Sequence, residues 1–388
     1  MLALLLGAPV FAELIQSYLP STGSLTSTLF VVAFLAPLYG GAAVLIREVA
    51  LRTGRGWPGR LLLAGAFGVL MPTWVDKSLW TPQSPAEIEL WGDTLGLTTV
   101  VGVSVFAATS WVLGHVIMSV GVPLVIVEAL LPEGRGRAWL GRFGLGVLTV
   151  LCLGVATLIH GDEDGPDAET TAARYAVSLA VAVTLVGLAF TPFGRPLAVR
   201  AGRRLGRPAP LALAGFALMA MFDLAPVSWL GVALAWLAVG AAVWLLVRCS
   251  PSPAWSSRHV VAFGFGAVLE RTMIGFLVSP PVGADATGKF VQNVVVLLLV
   301  LGLGRVLWVR TRELPGPGYG LSGGGGSGPH HVRCGSGRPQ VVDPSGSPPL
   351  TDPGEPGGHR GEEQEDVDNP ERPDDPGPRA GHRSRPDP

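Results

Sequence analysis

Continuous apolar stretches separated by short polar segments run along most of this chain. A helix needs about 20 apolar residues to cross roughly 30 Å of hydrocarbon, and only helices and closed barrels satisfy their backbone groups there. Continuous rather than alternating hydrophobicity indicates helices. The sequence therefore predicts an all-α, polytopic transmembrane helix bundle of about ten spans, near residues 1–19, 25–46, 61–80, 104–130, 143–160, 175–192, 209–225, 228–247, 260–279 and 290–309.

Three stretches are irregular. The first contains Pro9, Glu13 and Gln16. It has no basic n-region and no clear cleavage site, which favours an uncleaved first helix over a signal peptide. The fourth stays apolar from about 97 to 131, too long for an upright span, so it is predicted to tilt or to lie partly along the membrane surface, with a bend near Gly121 and Pro123. The seventh and eighth are separated by few residues, and a count of nine or eight spans stays open.

Arginine occurs on every second connection, and the intervening connections are neutral or acidic. Basic residues concentrate in short cytoplasmic loops, so both termini are predicted to be cytoplasmic. The arginines that define the pattern are Arg47, Arg52, Arg55, Arg60, Arg135, Arg137, Arg142, Arg195, Arg200, Arg203, Arg204, Arg207, Arg248, Arg258, Arg310 and Arg312. The acidic residues on the other side are Glu87, Glu89, Asp93, Asp162, Glu163, Asp164, Asp167 and Glu169.

Composition divides the chain into two regions. Residues 1–313 form the predicted transmembrane domain and carry 21 basic and 17 acidic side chains, whereas residues 314–388 carry 7 and 12. The second region holds 15 of the 34 prolines and few large apolar residues. Such a segment cannot bury enough surface to offset its ordering entropy, so a disordered Gly/Pro-rich cytoplasmic tail is predicted.

Several function classes are disfavoured by composition and motifs. The arginines lie at membrane boundaries, where the topology rule explains them, so no nucleic-acid partner is expected. Three scattered cysteines provide no metal site or disulfide framework, and no nucleotide- or cofactor-binding motif occurs, so no cofactor is expected. Basic usage of 26 Arg to 2 Lys is typical of GC-rich codons. The chain resembles uncharacterised multi-pass membrane proteins of high-GC Gram-positive bacteria, which implies a bacterial plasma membrane location.

Ionisable residues within the apolar stretches are the candidates for chemistry, because each is costly in hydrocarbon. Glu270 and Arg271 lie near the middle of the ninth stretch, and each is expected to need a partner on another helix. His115 lies near the middle of the fourth stretch, where it can hydrogen-bond between helices or relay a proton. Asp76 and Asp223 lie near outer helix ends, where they either line a polar vestibule or are simply interfacial.

A partial motif resembles the CAAX-protease and bacteriocin-processing (CPBP) intramembrane proteins. Arg47-Glu48-Val-Ala-Leu-Arg52 is similar to their Glu-Glu-x-x-x-Arg motif with one glutamate replaced, and Trp111-x-x-x-His115 is similar to their Phe-x-x-x-His motif. The third motif of that family is missing. The resemblance implies an intramembrane hydrolase in which Glu48 and His115 activate water.

Three functions follow from these observations. The favoured one is a transporter or permease-like protein for an ion or small molecule, with a polar site at the bilayer midplane formed by His115, Glu270 and Arg271. Five helices in each half fit inverted repeats. The alternatives are a non-catalytic scaffold or accessory subunit and a CPBP-like hydrolase. The lipid bilayer is the expected partner, and enzyme activity is disfavoured.

Overall fold

The computed structural model describes residues 1–80, 92, 94–161, 171–198, 206–252, 254–280 and 284–311. Contacts divide the chain into Met1–Gly324 and Gly325–Pro388, and all described residues belong to the first unit. The predicted tail, 314–388, lies outside the described residues. The bundle consists of α1 (Leu2–Leu14), α2 (Leu25–Arg52), α3 (Trp57–Leu70, continued by Met71–Val75), α4 (Val105–Leu130), α5 (Arg142–His160), α6 (Ala172–Ala189), α7 (Ala209–Asp223), α8 (Trp229–Cys249), α9 (Ser257–Ile274) and α10 (Ala286–Arg310).

Polar side chains cap the first turns of several of these apolar helices. The side chains of Ser24, Ser104, Thr171, Ser228 and Asp285 accept hydrogen bonds from backbone N–H groups at the starts of α2, α4, α6, α8 and α10. Each cap satisfies a donor that has no partner within the helix. The caps therefore explain where the apolar runs begin to be helical.

Six helices in the described part of the chain are long and apolar enough to cross a membrane: α2, α4, α5, α6, α8 and α10. The apolar helices α1 and α7 are shorter. A multi-helix membrane protein is thus supported, whereas the number of ten crossings and the orientation of the termini remain predictions. Large apolar side chains such as Phe143, Leu153, Leu230, Trp244 and Leu299 are exposed on the outer faces of these helices, as expected for contact with lipid.

The first four helices are each interrupted or ended by a π-helical segment: Val10–Leu14, Ala36–Gly40, Met71–Val75 and His115–Gly121. A proline lies within each segment or no more than two residues from it, at Pro9, Pro37, Pro72 and Pro123. Proline lacks the backbone donor and crowds the preceding turn, so the regular hydrogen-bond ladder breaks beside it. The irregularity of α4 ends beside Gly121 and Pro123, where the sequence predicts a bend.

Helices α1 and α4 lie at the centre of the bundle, because each contributes to both large apolar cores. The first core joins Leu4 and Ala8 of α1 and Leu124 of α4 to α2, α3 and α5. The second core joins Phe11 of α1 and Met118 of α4 to α7, α8, α9 and α10. A polar residue on α1 or α4 can therefore contact either half of the bundle.

Glycine permits close contact between α7 and α9. A Cβ atom on Gly215 would lie 2.0 Å from the carbonyl oxygen of Phe263, and a Cβ atom on Gly266 would lie 2.0 Å from that of Ala212. No other residue type fits at either position without moving the backbone. Small residues allow this close packing, which compensates for the weak hydrophobic driving force between helices in lipid.

The fourth stretch does not continue outward as one long helix, because the helix begins only at Val105. Residues Thr99–Val100 (β1) and Val103–Ser104 (β2) instead form a short antiparallel hairpin, in which Thr99 pairs with Ser104. The turn residues Val101 and Gly102 both have positive φ angles, 52° and 74°. This geometry is that of a two-residue hairpin turn. The helix begins directly after the hairpin, so α4 has an ordinary spanning length.

Candidate functional site

Arg271 is the centre of a polar cluster within the bundle. Its Nε atom lies 2.7 Å from Oδ2 of Asp223 on α7, and its Nη1 donates a 2.7 Å hydrogen bond to Oε1 of Gln16 after α1. The side chains of Arg271 and Asp223 are 11% and 7% exposed. Arg271 therefore joins α9 to α7 and to the chain that follows α1. We call Glu13, Gln16, Asp223, Glu270 and Arg271 the Arg271 cluster.

The position of Arg271 differs from the sequence prediction in one respect. The ninth stretch was expected to continue to about 279, but α9 ends at Ile274, so Glu270 and Arg271 lie in its last turns rather than at its middle. Asp223 is the last residue of α7. The C-terminal ends of helices carry partial negative charge from unpaired carbonyl groups, which stabilises a guanidinium placed between them.

Glu270 is the most unusual residue of the cluster. It is 2% exposed, and its Oε2 atom has no hydrogen-bond partner among the described residues. Its carboxyl group lies within hydrogen-bonding reach of the Asp223 carboxyl. Two carboxylates in contact repel each other unless a proton or a cation lies between them. This pair is therefore a place where a positive charge is attracted.

Glu13 continues the cluster toward α2. Its two carboxylate oxygens accept hydrogen bonds from the hydroxyl groups of Tyr18 and Tyr39. Glu13 and Tyr39 both lie on π-helical segments. With Asp223 and Glu270, Glu13 makes three carboxyl groups in a cluster that contains one guanidinium, that of Arg271.

His115 lies beside this cluster at the start of the π segment of α4. Its ring packs against Tyr39 and Phe67, with centroid distances of 5.7 and 6.0 Å, and its Nδ1 lies 3.1 Å from Oγ of Ser119. A Cβ atom on the preceding residue, Gly114, would lie 3.7 Å from Nη2 of Arg271. The structure thus places the residue before His115 close to Arg271.

The ends of α3 and α10 bring further polar groups to the same side of the bundle. Asp76 follows α3 and accepts a 2.9 Å hydrogen bond from the backbone of Ser78. On α10, Lys289 is 4% exposed and donates to the carbonyl oxygen of Gly275, which also accepts a 2.8 Å hydrogen bond from Asn293. These contacts attach the start of α10 to the end of α9, directly beyond Arg271.

A second polar network lies near the other ends of these helices. Arg47 and Glu48 are both 0% exposed and pair at 3.0 Å, and Arg47 also pairs with Glu128 at 3.2 Å. Arg52 and Arg60 supply the remaining ion pairs, to Glu48 at 3.2 Å and to Glu128 at 3.0 Å. We call these five residues the Arg47 network.

The Arg47 network fixes the loop between α4 and α5. The Arg47 guanidinium donates to the carbonyl oxygens of Gly134 and Arg137 and stacks 3.6 Å from the ring centre of Trp139. The backbone N–H of Trp139 donates a 2.8 Å hydrogen bond to Glu48. Both carboxylate oxygens of Glu48 are thus occupied by protein donors, which is the arrangement of a structural charge.

Glu48 and His115, the pair expected for a hydrolase, have separate partners. His115 contacts Tyr39, and Glu48 lies nine residues further along α2, a rise of about 13 Å at 1.5 Å per residue. The carboxylate of Glu48 is engaged with Arg47, Arg52 and Trp139. Among the described residues, no contact joins Glu48 to His115.

Two features of the site were not anticipated from the sequence. Tyr39 connects Glu13 to His115, and nothing in its apolar neighbourhood distinguishes it from an interfacial tyrosine. Lys289 was also missed, although one of two lysines in an arginine-rich chain is a usable signal. Glu13 and Gln16 both belong to the first stretch, but Tyr39, which contacts Glu13, and Arg271, which contacts Gln16, are more than 20 residues away in sequence.

Apolar helices with exposed large hydrophobic side chains around buried ionic clusters define a helical integral membrane protein. The chain belongs to an uncharacterized membrane protein family, whose family model matches residues 2–197. The matched region contains α1 to α6, and therefore Glu13, Tyr39, His115 and the Arg47 network. No curated protein and no solved structure matches the chain.

Proposed function

We propose that this protein is a transporter or permease-like protein of the bacterial plasma membrane that binds a proton or a small cation at the Arg271 cluster. The observation that carries the proposal is the buried contact between the carboxyl groups of Glu270 and Asp223, with an oxygen of Glu270 free of protein donors. Buried ionisable groups in a membrane protein are costly, and they are retained chiefly where ions or protons pass.

The irregular helices around the cluster support the same proposal. Glu13, Tyr39 and His115 all lie on π-helical segments, which occur frequently at functional sites. Transporters also place their sites at interrupted helices near the interface of two repeats. In a ten-crossing arrangement with cytoplasmic termini, His115 and Arg271 belong to the fourth helix of each five-helix half.

The chemistry of the proposed site follows from its charges. Arg271 neutralises one carboxylate, and the remaining carboxyl groups attract a proton or a monovalent cation. Binding a cation between Glu270 and Asp223 weakens the attraction of Asp223 for Arg271. Because Asp223 and Arg271 lie on different helices, occupation of the site changes the contact between α7 and α9.

The test is ion movement by the full-length protein in proteoliposomes. An imposed membrane potential is applied with K⁺ and valinomycin, internal pH is followed with pyranine, and Na⁺, Li⁺ and methylammonium are supplied in separate runs. Wild type is expected to move protons or one of these cations, and Glu270→Gln and Asp223→Asn to abolish the movement. Glu133→Gln, at an exposed position on a helical turn, is the matched control and should retain it.

The scaffold alternative is favoured by the local pairing of other charges, above all in the Arg47 network. It predicts no flux of any tested cation and no difference between Glu270→Gln and Glu133→Gln. Either result would overturn the transporter proposal. Flux that persists in both Glu270→Gln and Asp223→Asn would instead show that the transported ion uses another path.

A further inference from the structure

An apolar groove lies between α3, α4, α7, α8 and α9. It encloses about 380 Å³ and is lined almost entirely by aliphatic and aromatic side chains, including Leu61, Val125, Met219 and Val243. We call it the α8 groove. Neither Glu270 nor Arg271 lines it, so its function is separate from the proposed ion site.

The length of the α8 groove matches one leaflet of a bilayer. Along α8 its lining extends from Ala238 to the residue after the helix end, Ser250. Twelve residues of helix correspond to about 18 Å. Half of a hydrocarbon core of roughly 30 Å is about 15 Å. An extended acyl chain of a single leaflet therefore fits along the groove.

The groove is open to the outside of the bundle along α8. Val243 and Val247 line it, and each is 49% exposed. In a membrane the surroundings of these side chains are hydrocarbon chains. No backbone or charged group closes this side among the lining residues on α8, so a lipid chain can enter laterally.

One end of the groove is polar and carries an arginine. Arg135 lines this end; it donates to Oγ of Ser257 at 3.0 Å and to the carbonyl oxygen of Glu128 at 2.8 Å. Its Nε is buried and has no hydrogen-bond partner among the described residues. The carboxylate of Glu128 is paired with Arg47 and Arg60, so the charge of Arg135 is not neutralised by it.

We propose that the α8 groove binds one acyl chain of an anionic phospholipid from the leaflet on the Arg135 side, with the lipid phosphate at Arg135. The apolar lining matches the chain, and the guanidinium matches the phosphate in charge and hydrogen-bonding geometry. A zwitterionic lipid such as phosphatidylcholine fits the same groove and also carries a phosphate, but its choline cation offsets the phosphate charge and weakens the attraction to Arg135.

The experiment measures lipid binding to the delipidated full-length protein by native mass spectrometry. Phosphatidylglycerol and phosphatidylcholine with identical chains are titrated separately, and glycerol 3-phosphate tests whether the headgroup alone suffices. Wild type is expected to retain phosphatidylglycerol preferentially and not to bind glycerol 3-phosphate. Arg135→Gln should lower the affinity for phosphatidylglycerol about tenfold, the loss expected for one charge-assisted hydrogen bond. Arg142→Gln, at an exposed position, is the matched control.

A second variant tests the chain rather than the headgroup. Gly264 lines the groove, and a Cβ there would meet only the side chains of Val125 and Val122, at ordinary contact distances of 3.8 and 4.0 Å, so Gly264→Leu adds side-chain atoms to the groove. Gly240→Leu, with no atom within 4 Å of its Cβ, is the control. Gly264→Leu should abolish tight binding of both phospholipids. Equal retention of lipid by Gly264→Leu and Gly240→Leu, or binding of glycerol 3-phosphate as tightly as the lipid, would overturn the proposal.

Discussion

Replacing Asp223 and replacing Glu270, the two carboxyl residues beside Arg271, are predicted to change the free energy of unfolding differently. Asp223 forms the ion pair with Arg271 at 2.7 Å, and both side chains are nearly buried. Removing one partner of a buried pair leaves an uncompensated charge and costs about 3–5 kcal/mol. Because Gln16 still accepts a hydrogen bond from Arg271, we expect Asp223→Asn to lose about 3 kcal/mol of unfolding free energy, at the lower end of that range.

We expect Glu270→Gln to cause no loss of unfolding free energy. Oε2 of Glu270 has no protein donor among the described residues, and its carboxyl contacts that of Asp223. The glutamine amide removes a like charge and can donate a hydrogen bond to Asp223. A net hydrogen bond contributes about 1 kcal/mol, so the variant should be as stable as wild type or more stable by up to about that amount. Such a gain in stability with loss of transport is typical of a functional site.

The assay is equilibrium unfolding in dodecyl maltoside micelles with increasing sodium dodecyl sulfate, followed by circular dichroism. A double-mutant cycle of Asp223→Asn with Arg271→Gln should return a coupling energy of about 2–3 kcal/mol. The reasoning is refuted if Glu270→Gln is as destabilised as Asp223→Asn. In that case Glu270 is a structural partner of Arg271, and the carboxyl pair does not hold a bound positive charge.

Three further predictions concern the rest of the bundle. Arg47→Gln removes a fully buried guanidinium and should cost about 3–5 kcal/mol, whereas Arg52→Gln, whose side chain is 34% exposed, should cost less than about 1 kcal/mol; equal losses in the same unfolding assay would contradict the structural role of the Arg47 network. Gly215→Ala should greatly reduce the yield of monodisperse protein because its Cβ would lie 2.0 Å from the oxygen of Phe263, and Gly240→Ala should not; size-exclusion chromatography checks this. When single cysteines are placed in the connections between helices, a reagent added outside intact cells should label only those in connections without arginines. Labelling of a cysteine in an arginine-bearing connection would disprove the predicted orientation.

Much of the fold was predictable from local signals. Apolar runs located the helices, and the Ser, Thr or Asp residues at their starts account for several boundaries. Boundaries were less accurate where hydropathy changes gradually. Helix α9 ends at Ile274 instead of near 279, and a short hairpin replaces the apolar residues before α4. Hydropathy averages over a window, so it cannot detect the turn at Val101 and Gly102 that reverses the chain there.

The candidate site was predictable as a set of residues but not as a set of contacts. The free energy cost of a charge in hydrocarbon identified His115, Asp223, Glu270 and Arg271 without any structure. The partial CPBP motif resemblance assigned Glu48 and His115 to a common hydrolytic site, yet their contacts in the structure differ. Sequence resemblance reports which residue types occur, whereas the distance between side chains depends on how helices rotate and pack.

The sequence alone determined that the chain is a helical membrane protein, because the transfer of apolar residues into lipid depends on composition and length and not on neighbours. It also indicated that α4 becomes irregular near Gly121 and Pro123, because proline removes a backbone donor wherever the chain is placed. Only the tertiary structure decided which charges meet. Arg271 contacts Asp223, more than 40 residues away in sequence, because glycines let α7 and α9 approach each other closely. It contacts Gln16, more than 250 residues away, because α1 lies at the centre of the bundle. Those contacts depend on packing between distant helices, which no local pattern encodes.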